Sequence, residues 1–147
     1  MTRLVDVTTQ DVRIAVARAR VARVAERVLW AEGVRHAMLS IAFVTDRQIA
    51  ALNWRHLRHR GPTDVISFGF APGEKRGPVV GDIYIAPGVA RRNARAHGRG
   101  VREETLRLVI HGVLHVLGHD HPADESRYAS PMWRRQERLL RSALAAA

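Results

Sequence analysis

The sequence predicts an α+β fold, with some α/β character, in which a small mixed sheet packs with helices. Two observations predict this class. Four short β-prone segments alternate with longer segments whose apolar residues recur at helical spacing. In addition, a chain of 147 residues with 46% hydrophobic and 26% charged side chains suits a single hydrophobic core. We therefore expect residues 1–147 to form one domain.

The first third of the chain predicts two strands and two helices. Leu4–Thr8 predicts a short opening strand, and a broad apolar stripe among arginines then predicts a helix over Gln10–Glu32. The apolar, β-prone segment Met38–Val44 predicts a second strand. Thr45-Asp46 suits the N-terminal cap of a helix that runs from Gln48 to about Leu57.

The middle of the chain predicts two more strands. Val65–Phe68 follows a Gly-Pro-Thr turn and predicts a short strand, after which Ala71–Gly77 forms a polar loop. Gly81–Ala86 predicts the fourth strand. Pro87 suits the first turn of a helix that continues to about His97 and is ended by Gly98–Gly100.

Two helices are predicted at the end of the chain. Glu103–Leu117 is strongly apolar and begins with two acidic residues, which favour a helix N-terminus. The last helix begins near Asp124 or Pro131 and runs to Leu144. The pattern does not determine the order of the strands in the sheet.

The charge balance points to a polyanionic partner. Lys+Arg 24 against Asp+Glu 14 leaves a net charge of +10, and Lys75 is the one cation that is not arginine. A domain this basic attracts nucleic acid. The alternative is a solvated arginine-rich surface. Two clusters are candidates for phosphate contact, namely Arg55, Arg58 and Arg60, and Arg91, Arg92, Arg95, Arg99 and Arg102.

The composition also excludes several classes. The chain contains no cysteine, which excludes disulfides and cysteine nucleophiles and suits a reducing cytoplasm. No apolar stretch is long enough to cross a bilayer, and Met1–Asp6 lacks the layout of a signal peptide. We expect a cytoplasmic protein with no membrane partner.

Three histidines have the spacing of a metal site. His111 and His115 lie four residues apart on a predicted helix, so their rings share one face, and Gly118 can reverse the chain to bring His121 beside them. Three imidazoles in so apolar a segment would be costly to bury without a partner. The spacing H-x3-H-x5-H therefore predicts a zincin-like active-site helix with three metal ligands and a fourth position for water.

The two residues before His121 have weaker assignments. We expect His119 to be turned away from the metal. Asp120 either orients a ligand imidazole from behind or stabilises the turn. Metzincin proteases share the spacing, Gly118 included, but Gly112 stands where they carry a glutamate general base. A protease would therefore lack that base.

The segment HGVLHVLGHDH resembles the pattern H-G-x-L-H-x-x-G-x-D-H of the YbeY family of endoribonucleases. Other segments are similar to that family as well. They are Leu52-Asn53, Pro62–Phe68 (PTDVISF), Gly81–Ile85 (GDIYI), and Met132, Glu137 and Leu139-Leu140 in the last helix. The resemblance covers about Met38 to Leu140.

This resemblance implies a zinc-dependent, single-strand-specific endoribonuclease with one metal ion per chain. It further implies a role in maturation of the 3′ end of small-subunit rRNA and in ribosome quality control, with rRNA and the ribosome or its small subunit as partners. His111, His115 and His121 correspond to the metal ligands. The family commonly has an arginine where this chain has Leu57, so we assign phosphate handling to Arg58, flanked by Arg55 and Arg60.

The chemistry agrees with this assignment. Three neutral imidazoles leave zinc its full charge, which lowers the pKa of bound water to about 7. The metal-bound water and Arg58 are thus the candidate catalytic groups, although attack by hydroxide and attack by a 2′-OH both remain open. Trp54, Tyr128 and Trp133 could stack on bases. With 5% aromatic residues, we expect most of them in the core.

Two other functions remain as alternatives. One is a metalloprotease or amide hydrolase with metzincin-like spacing that lacks the glutamate base. The other is a non-catalytic RNA-binding module with a structural zinc. A structural site needs a fourth protein ligand, which His119 or Asp120 would have to provide.

Overall fold

The structure, a computed structural model, describes residues 1–70 and 77–146. Within these residues, four strands and five α-helices alternate as the sequence predicts, which confirms the α+β class. A π-helical turn, Asn53–Leu57, follows α2, and a 3-10 helix, Glu125–Ala129, precedes α5. The strands and α-helices are β1 (Thr2–Thr9), α1 (Arg18–Ala31), β2 (His36–Phe43), α2 (Asp46–Leu52), β3 (Val65–Phe70), β4 (Val79–Ile85), α3 (Pro87–Ala96), α4 (Val101–Val116) and α5 (Pro131–Ala145).

The sheet is mixed and has the strand order β1-β2-β4-β3. Strands β1, β2 and β4 are parallel, whereas β3 runs antiparallel to β4 at the edge. Leu39, Ile41 and Ile83 point to the same buried face, where α1 and α4 pack on the sheet. Strand β3 also contacts α4 and forms one wall of a cavity that His111, His115 and His121 line.

Helix α4 approaches the sheet closely because it carries a glycine at the contact. A Cβ placed on Gly112 would lie 2.7 Å from Ile83 Cγ2, which is closer than real Cβ atoms come. Residues on either side of it, among them Val109 and Val113, are fully buried. The face of α4 at Gly112 is therefore fixed by packing on the sheet, and His111 and His115 project beside this face.

The first helix begins later than the sequence predicts. Residues 10–17 are not helical, so the predicted start at Gln10 is wrong. The backbone N–H of Gln10 donates to the carbonyl of Phe43 at 2.8 Å and so extends the pairing of β1 with β2. Asp11 then takes a positive φ of 58°, which turns the chain away from the sheet. The segment is needed to cross from the sheet edge to α1.

The remaining predicted boundaries agree closely with the structure. Thr45 caps α2, since its side chain accepts from the Gln48 N–H at 3.1 Å and the Gln48 side chain accepts from the Thr45 N–H at 2.8 Å. Both predicted starts of the last helix correspond to helical segments, because the 3-10 helix precedes Pro131. Of the predicted polar loop Ala71–Gly77, residues 71–76 lie outside the described residues.

No helix in the described part of the chain combines the length and the hydropathy that a membrane span requires.

Candidate metal centre

The structure brings the three predicted histidines together. His111 and His115 project from adjacent turns of α4, and the chain turns after the helix at Gly118, which has a φ of +96°. The Gly118 N–H donates to the His115 carbonyl at 3.0 Å, and the next N–H closes the turn. The chain then doubles back to His121. One ring nitrogen of each histidine lies within 4.8 Å of the other two, and we call these three residues the histidine triad.

Every ring in the triad has its Nδ1 atom within hydrogen-bond distance of an oxygen that can only accept. His111 Nδ1 donates to Gln136 Oε1 at 2.6 Å, His115 Nδ1 to the His119 carbonyl at 3.0 Å, and His121 Nδ1 to the Pro122 carbonyl at 2.7 Å. Each Nδ1 therefore carries the proton, and each Nε2 keeps a lone pair. This is the tautomer that binds a metal through Nε2.

Burial keeps the two helical histidines of the triad neutral. Burial, together with the neighbouring imidazoles of His111 and His121, lowers the pKa of His115 to about 4. Burial also lowers the pKa of His111, more than its hydrogen bond to Gln136 raises it. Because a metal competes with protons for these nitrogens, rings that are neutral at pH 7 suit a divalent cation.

A buried polar network holds Gln136 in position behind His111. Gln136 is only 1% exposed, and its Nε2 donates to Glu137 Oε2 at 3.1 Å. Arg107 donates to the same carboxylate at 2.9 and 3.0 Å and to Glu104 at 2.8 Å. The amide nitrogen is thus directed at a carboxylate, so the amide oxygen must face His111.

The sequence analysis missed Gln136 and Arg107. Both are polar residues at buried helix positions, and Gln136 lies in the stripe of α5 that otherwise consists of apolar residues such as Met132 and Leu140. A polar side chain in an apolar stripe needs a partner. That pattern was the available indication, but it does not identify the partner.

The side chains of His119 and Asp120 make contacts that hold the loop after α4. His119 is turned away from the triad, as predicted, and its Nε2 lies 2.6 Å from Glu32 Oε1 at the end of α1. Glu32 also accepts from Arg135 of α5 at 2.6 Å. Asp120 Oδ1 accepts from the backbone N–H of His121 at 2.8 Å, which is a contact that stabilises the turn.

The triad lies in a cavity of about 800 Å³. Its walls are formed by β3, α4, the 3-10 helix and the start of α5. Asp64 lines one side, where burial raises the pKa of its carboxyl although the Val65 N–H donates to it at 2.8 Å. Arg127, which the sequence analysis did not single out, lines the cavity from the 3-10 helix. The site thus combines a possible metal centre with both acidic and basic groups.

The arginines predicted to handle phosphate are not among the described residues that line this cavity. Leu57 lines it, while none of Arg55, Arg58 and Arg60 does so among the described lining residues. The guanidinium groups of Arg58 and Arg60 lie 5.4 and 5.8 Å from the ring centroid of Trp54. They form a basic and aromatic patch next to Leu57.

The aromatic residues are less buried than expected. Trp54 is 46% exposed and Tyr128 is 42% exposed, so the expectation that most of the aromatics considered lie in the core is wrong. Trp133 is partly buried and packs against Tyr128 with their ring centroids 4.8 Å apart. Tyr128 and Trp133 both line the cavity.

Gly112 does not belong to the metal centre. Its missing side chain would point at Ile83 in the sheet, because α4 packs closely there. A glutamate at this position would clash with β4. The absence of the protease-type carboxylate is therefore built into the packing of the helix.

Comparisons with known proteins identify one family. Residues 5–143 match the sequence model of the family described as "Endoribonuclease YbeY". An endoribonuclease YbeY from Pelotomaculum thermopropionicum is 38% identical over 124 residues, which cover 80% of each chain. One from Bifidobacterium animalis is 45% identical over 93 residues, which cover 59% of this chain and about half, 51%, of that protein.

The fold is also similar to a solved structure. The solution structure of TM1509 from Thermotoga maritima superposes with a TM-score of 0.63 at 21% identity. The superposition covers 97% of this chain and 90% of the other. The similarity extends over the sheet and the helices that frame the triad, and it concerns the fold alone.

Proposed function

This chain belongs to the YbeY family of endoribonucleases, and from that premise we propose that it is a metal-dependent endoribonuclease whose cleavage site is the cavity at the histidine triad. The observation that carries the proposal is the set of three Nε2 lone pairs that face one another at the end of α4. We propose residues 1–147 as a single domain that contains this activity.

The triad fits one divalent metal ion per chain, and we propose zinc. Three neutral imidazoles form a familiar zinc donor set that leaves a coordination position open. A zinc ion held there would supply a Lewis acid that polarises phosphoryl oxygens and acidifies water. Gln136 and the His119 carbonyl would keep the rings of His111 and His115 in the required tautomer.

The substrate we propose is unpaired RNA. The net charge of +10 favours a polyphosphate chain. Tyr128 exposes an aromatic ring at the cavity and Trp54 exposes one beside Arg58 and Arg60, and such rings stack on bases that are not paired. Arg58 and Arg60, with Arg55, are proposed to bind phosphates where the strand passes the cavity edge.

The cellular role we propose follows from family membership. It is maturation of the 3′ end of small-subunit rRNA and ribosome quality control, with the ribosome or its small subunit as partner, in the cytoplasm. The structural-zinc alternative is disfavoured by the contacts of its two candidate fourth ligands. His119 is engaged by Glu32, and Asp120 caps the turn at His121.

The proposal is tested by removing one ligand. We expect His115→Ala to lose the bound metal and with it the cleavage of a single-stranded RNA, because two imidazoles hold zinc weakly. Metal content is measured by atomic emission, cleavage on a gel, and folding by circular dichroism. His36→Ala, which removes an exposed histidine at the start of β2, is the matched control and should retain both metal and activity.

Two results would refute the proposal. One is a metal-loaded wild-type protein that leaves RNA intact but cuts casein, which would establish the hydrolase alternative. The other is cleavage of RNA at the wild-type rate by folded, metal-free His115→Ala protein.

A further inference from the structure

We propose that Arg127 and Tyr128 form a nucleotide subsite on the cavity wall, in which the guanidinium binds a phosphate and the phenol ring stacks on an unpaired base. This inference rests on the proposed function, since it names where a nucleotide next to the cleaved bond is held. Neither residue belongs to the basic cluster that the sequence predicted.

Arg127 differs from the other arginines that line the cavity in having no carboxylate partner. Arg107 is paired with Glu104 at 2.8 Å, and the Arg99 guanidinium lies 3.6 Å from the same carboxylate. Within residues 1–70 and 77–146, Arg127 makes no ion pair. Its two hydrogen bonds go to neutral oxygens, the Tyr128 hydroxyl at 2.9 Å and the Ala123 carbonyl at 3.4 Å.

The charge of Arg127 is therefore available to an anion in the cavity. A guanidinium has five N–H donors in a planar fork, and the two neutral contacts leave the other donors for a phosphate. The charge acts on groups on both sides of the cavity. It contributes, after burial and His121, to the lowered pKa of His111, and it opposes the effect of burial on the pKa of Asp64.

Tyr128 provides an aromatic surface beside this cation. Its ring is 42% exposed, and the Arg127 guanidinium lies 4.9 Å from the ring centroid. The edge-to-face contact with Trp133, at an interplanar angle of 84°, holds the ring against α5. A cation beside a supported aromatic ring matches the phosphate and the base of one nucleotide.

The segment that carries both residues is fixed at its two ends. Asp124 Oδ1 accepts from the Ser126 N–H at 2.9 Å and so caps the 3-10 helix at its start. At its end, Ser130 Oγ donates to the Arg127 carbonyl at 2.6 Å and accepts from the Trp133 N–H at 3.2 Å. Arg127 and Tyr128 are thus presented to the cavity by short-range contacts, before any ligand binds.

The experiment measures RNA binding without cleavage. Chelator-treated protein is titrated into a fluorescently labelled single-stranded RNA, and the dissociation constant is obtained from anisotropy over a series of salt concentrations. Arg127→Gln should weaken binding about ten-fold and should reduce the slope of log affinity against log salt by about 0.7, which is the value for one phosphate contact on a single strand. Arg141→Gln, an exposed arginine on α5, is the control and should change affinity less than about two-fold.

Tyr128 is tested with a second probe, an abasic strand of the same length. Tyr128→Ala should weaken binding of the base-containing RNA about ten-fold, leave binding of the abasic strand unchanged and leave the salt slope unchanged. Tyr128→Phe, which keeps the ring, should keep the preference for the base-containing strand over the abasic strand. Circular dichroism is used to verify that each variant is folded.

The outcomes separate this inference from the proposed function. If the wild-type protein binds and cleaves RNA while Arg127→Gln and Tyr128→Ala keep its affinity, salt slope and preference for bases, the subsite does not exist and the function stands. Loss of base preference in Tyr128→Phe would also contradict stacking. If the wild-type protein neither binds nor cleaves RNA, the proposed function fails and the subsite fails with it.

Discussion

At the scale of single residues, the metal centre depends on side chains that do not contact the metal. Gln136 Oε1 accepts a hydrogen bond from His111 Nδ1 at 2.6 Å, and the Gln136 amide nitrogen in turn donates to Glu137. An uncharged acceptor orients the ring and raises its basicity less than a carboxylate would. One buried amide thus determines which nitrogen of His111 faces the cavity.

Replacing this amide should weaken metal binding without unfolding the protein. We expect Gln136→Met to reduce metal affinity about ten- to a hundred-fold, which is typical of the loss of a group that orients a ligand. Competition with a chelating dye measures the affinity, and thermal unfolding of the metal-free protein measures the stability. Arg138→Met, on the exposed side of the same helix, should keep the wild-type affinity. Equal affinities in all three proteins would show that Gln136 does not orient His111.

The lowered pKa of His115 predicts how the stability of the metal-free protein depends on pH. Above about pH 6.5, this ring is neutral in both the folded and the unfolded chain and contributes nothing. Between about pH 6.5 and 4, His115 is protonated in the unfolded chain but stays neutral in the folded chain. The free energy of unfolding therefore falls as the pH falls. Below about pH 4 this contribution levels off.

Urea unfolding of chelator-treated protein across this range tests the prediction. His115→Gln removes the titrating group, so its free energy of unfolding should decline less steeply with acidification than that of the wild-type protein. The difference between the two proteins should be constant above the range and should change within it. A difference that is the same at every pH would contradict the assigned pKa.

At the scale of elements, α4 both packs on the sheet and carries two histidines of the triad. Gly112 packs on β4, and His111 and His115 project from the neighbouring face of the helix. The close approach of the helix to the sheet sets the depth of the triad relative to β3. The packing at Gly112 and the positions of His111 and His115 are therefore coupled through a rigid helix.

A side chain at position 112 should push the helix away from the sheet. We expect Gly112→Ala to lower the free energy of unfolding by about 1–2 kcal/mol, because overpacking costs more than the gain in helix propensity returns. Ile83→Ala removes the atom that the new Cβ meets. In a double-mutant cycle measured by urea unfolding, the two changes together should cost less than the sum of the single changes. Additive costs would show that the contact does not restrain α4.

Much of the fold could be predicted because its cues are local. The capping pattern at Thr45 and the proline at the start of α3 are short-range, and both are found as predicted. Residues 10–17 were assigned wrongly because their apolar spacing suits a helix, while a long-range bond from Gln10 to Phe43 holds the segment at the sheet edge. Local periodicity carries no information about such contacts.

In the site, too, only the features that depend on local sequence could be predicted. The grouping of the triad follows from helical spacing and a glycine turn, so the sequence could predict it. Gln136 lies 25 residues from His111 in sequence, and only the packing of α5 on α4 brings it there. Arg58 was selected by proximity in sequence to Leu57. In the structure it lies over Trp54 instead.

At the scale of the whole molecule, the net charge of +10 is distributed over a surface of which only part faces the cavity. Arg58 and Arg60 follow Leu57, which lines the cavity, whereas Arg18 and Arg20 lie at the start of α1. Charge acts on a polyanion both through general attraction and through direct phosphate contacts. The two contributions can be separated because they differ in position.

We expect RNA binding to weaken steeply with salt, and to weaken more after Arg58→Glu/Arg60→Glu than after Arg18→Glu/Arg20→Glu. The net charge changes equally in both pairs, so the difference isolates the direct contacts. Anisotropy titrations at several salt concentrations provide both affinities and slopes. Equal losses from the two pairs would mean that only the total charge matters.

The contact of Glu32 with the loop after α4 links the N-terminal helix α1 to the histidine triad. Glu32 holds His119 and Arg135, and the His119 carbonyl in turn accepts from the Nδ1 of His115. We expect a metal bound at the triad to slow hydrogen exchange at the C-terminal end of α1 and, because coupling between two sites is reciprocal, we expect weakening of that end to lower metal affinity by the same free energy. Helix α1 contributes no residue to the triad, and its contact with it runs through Glu32 and His119.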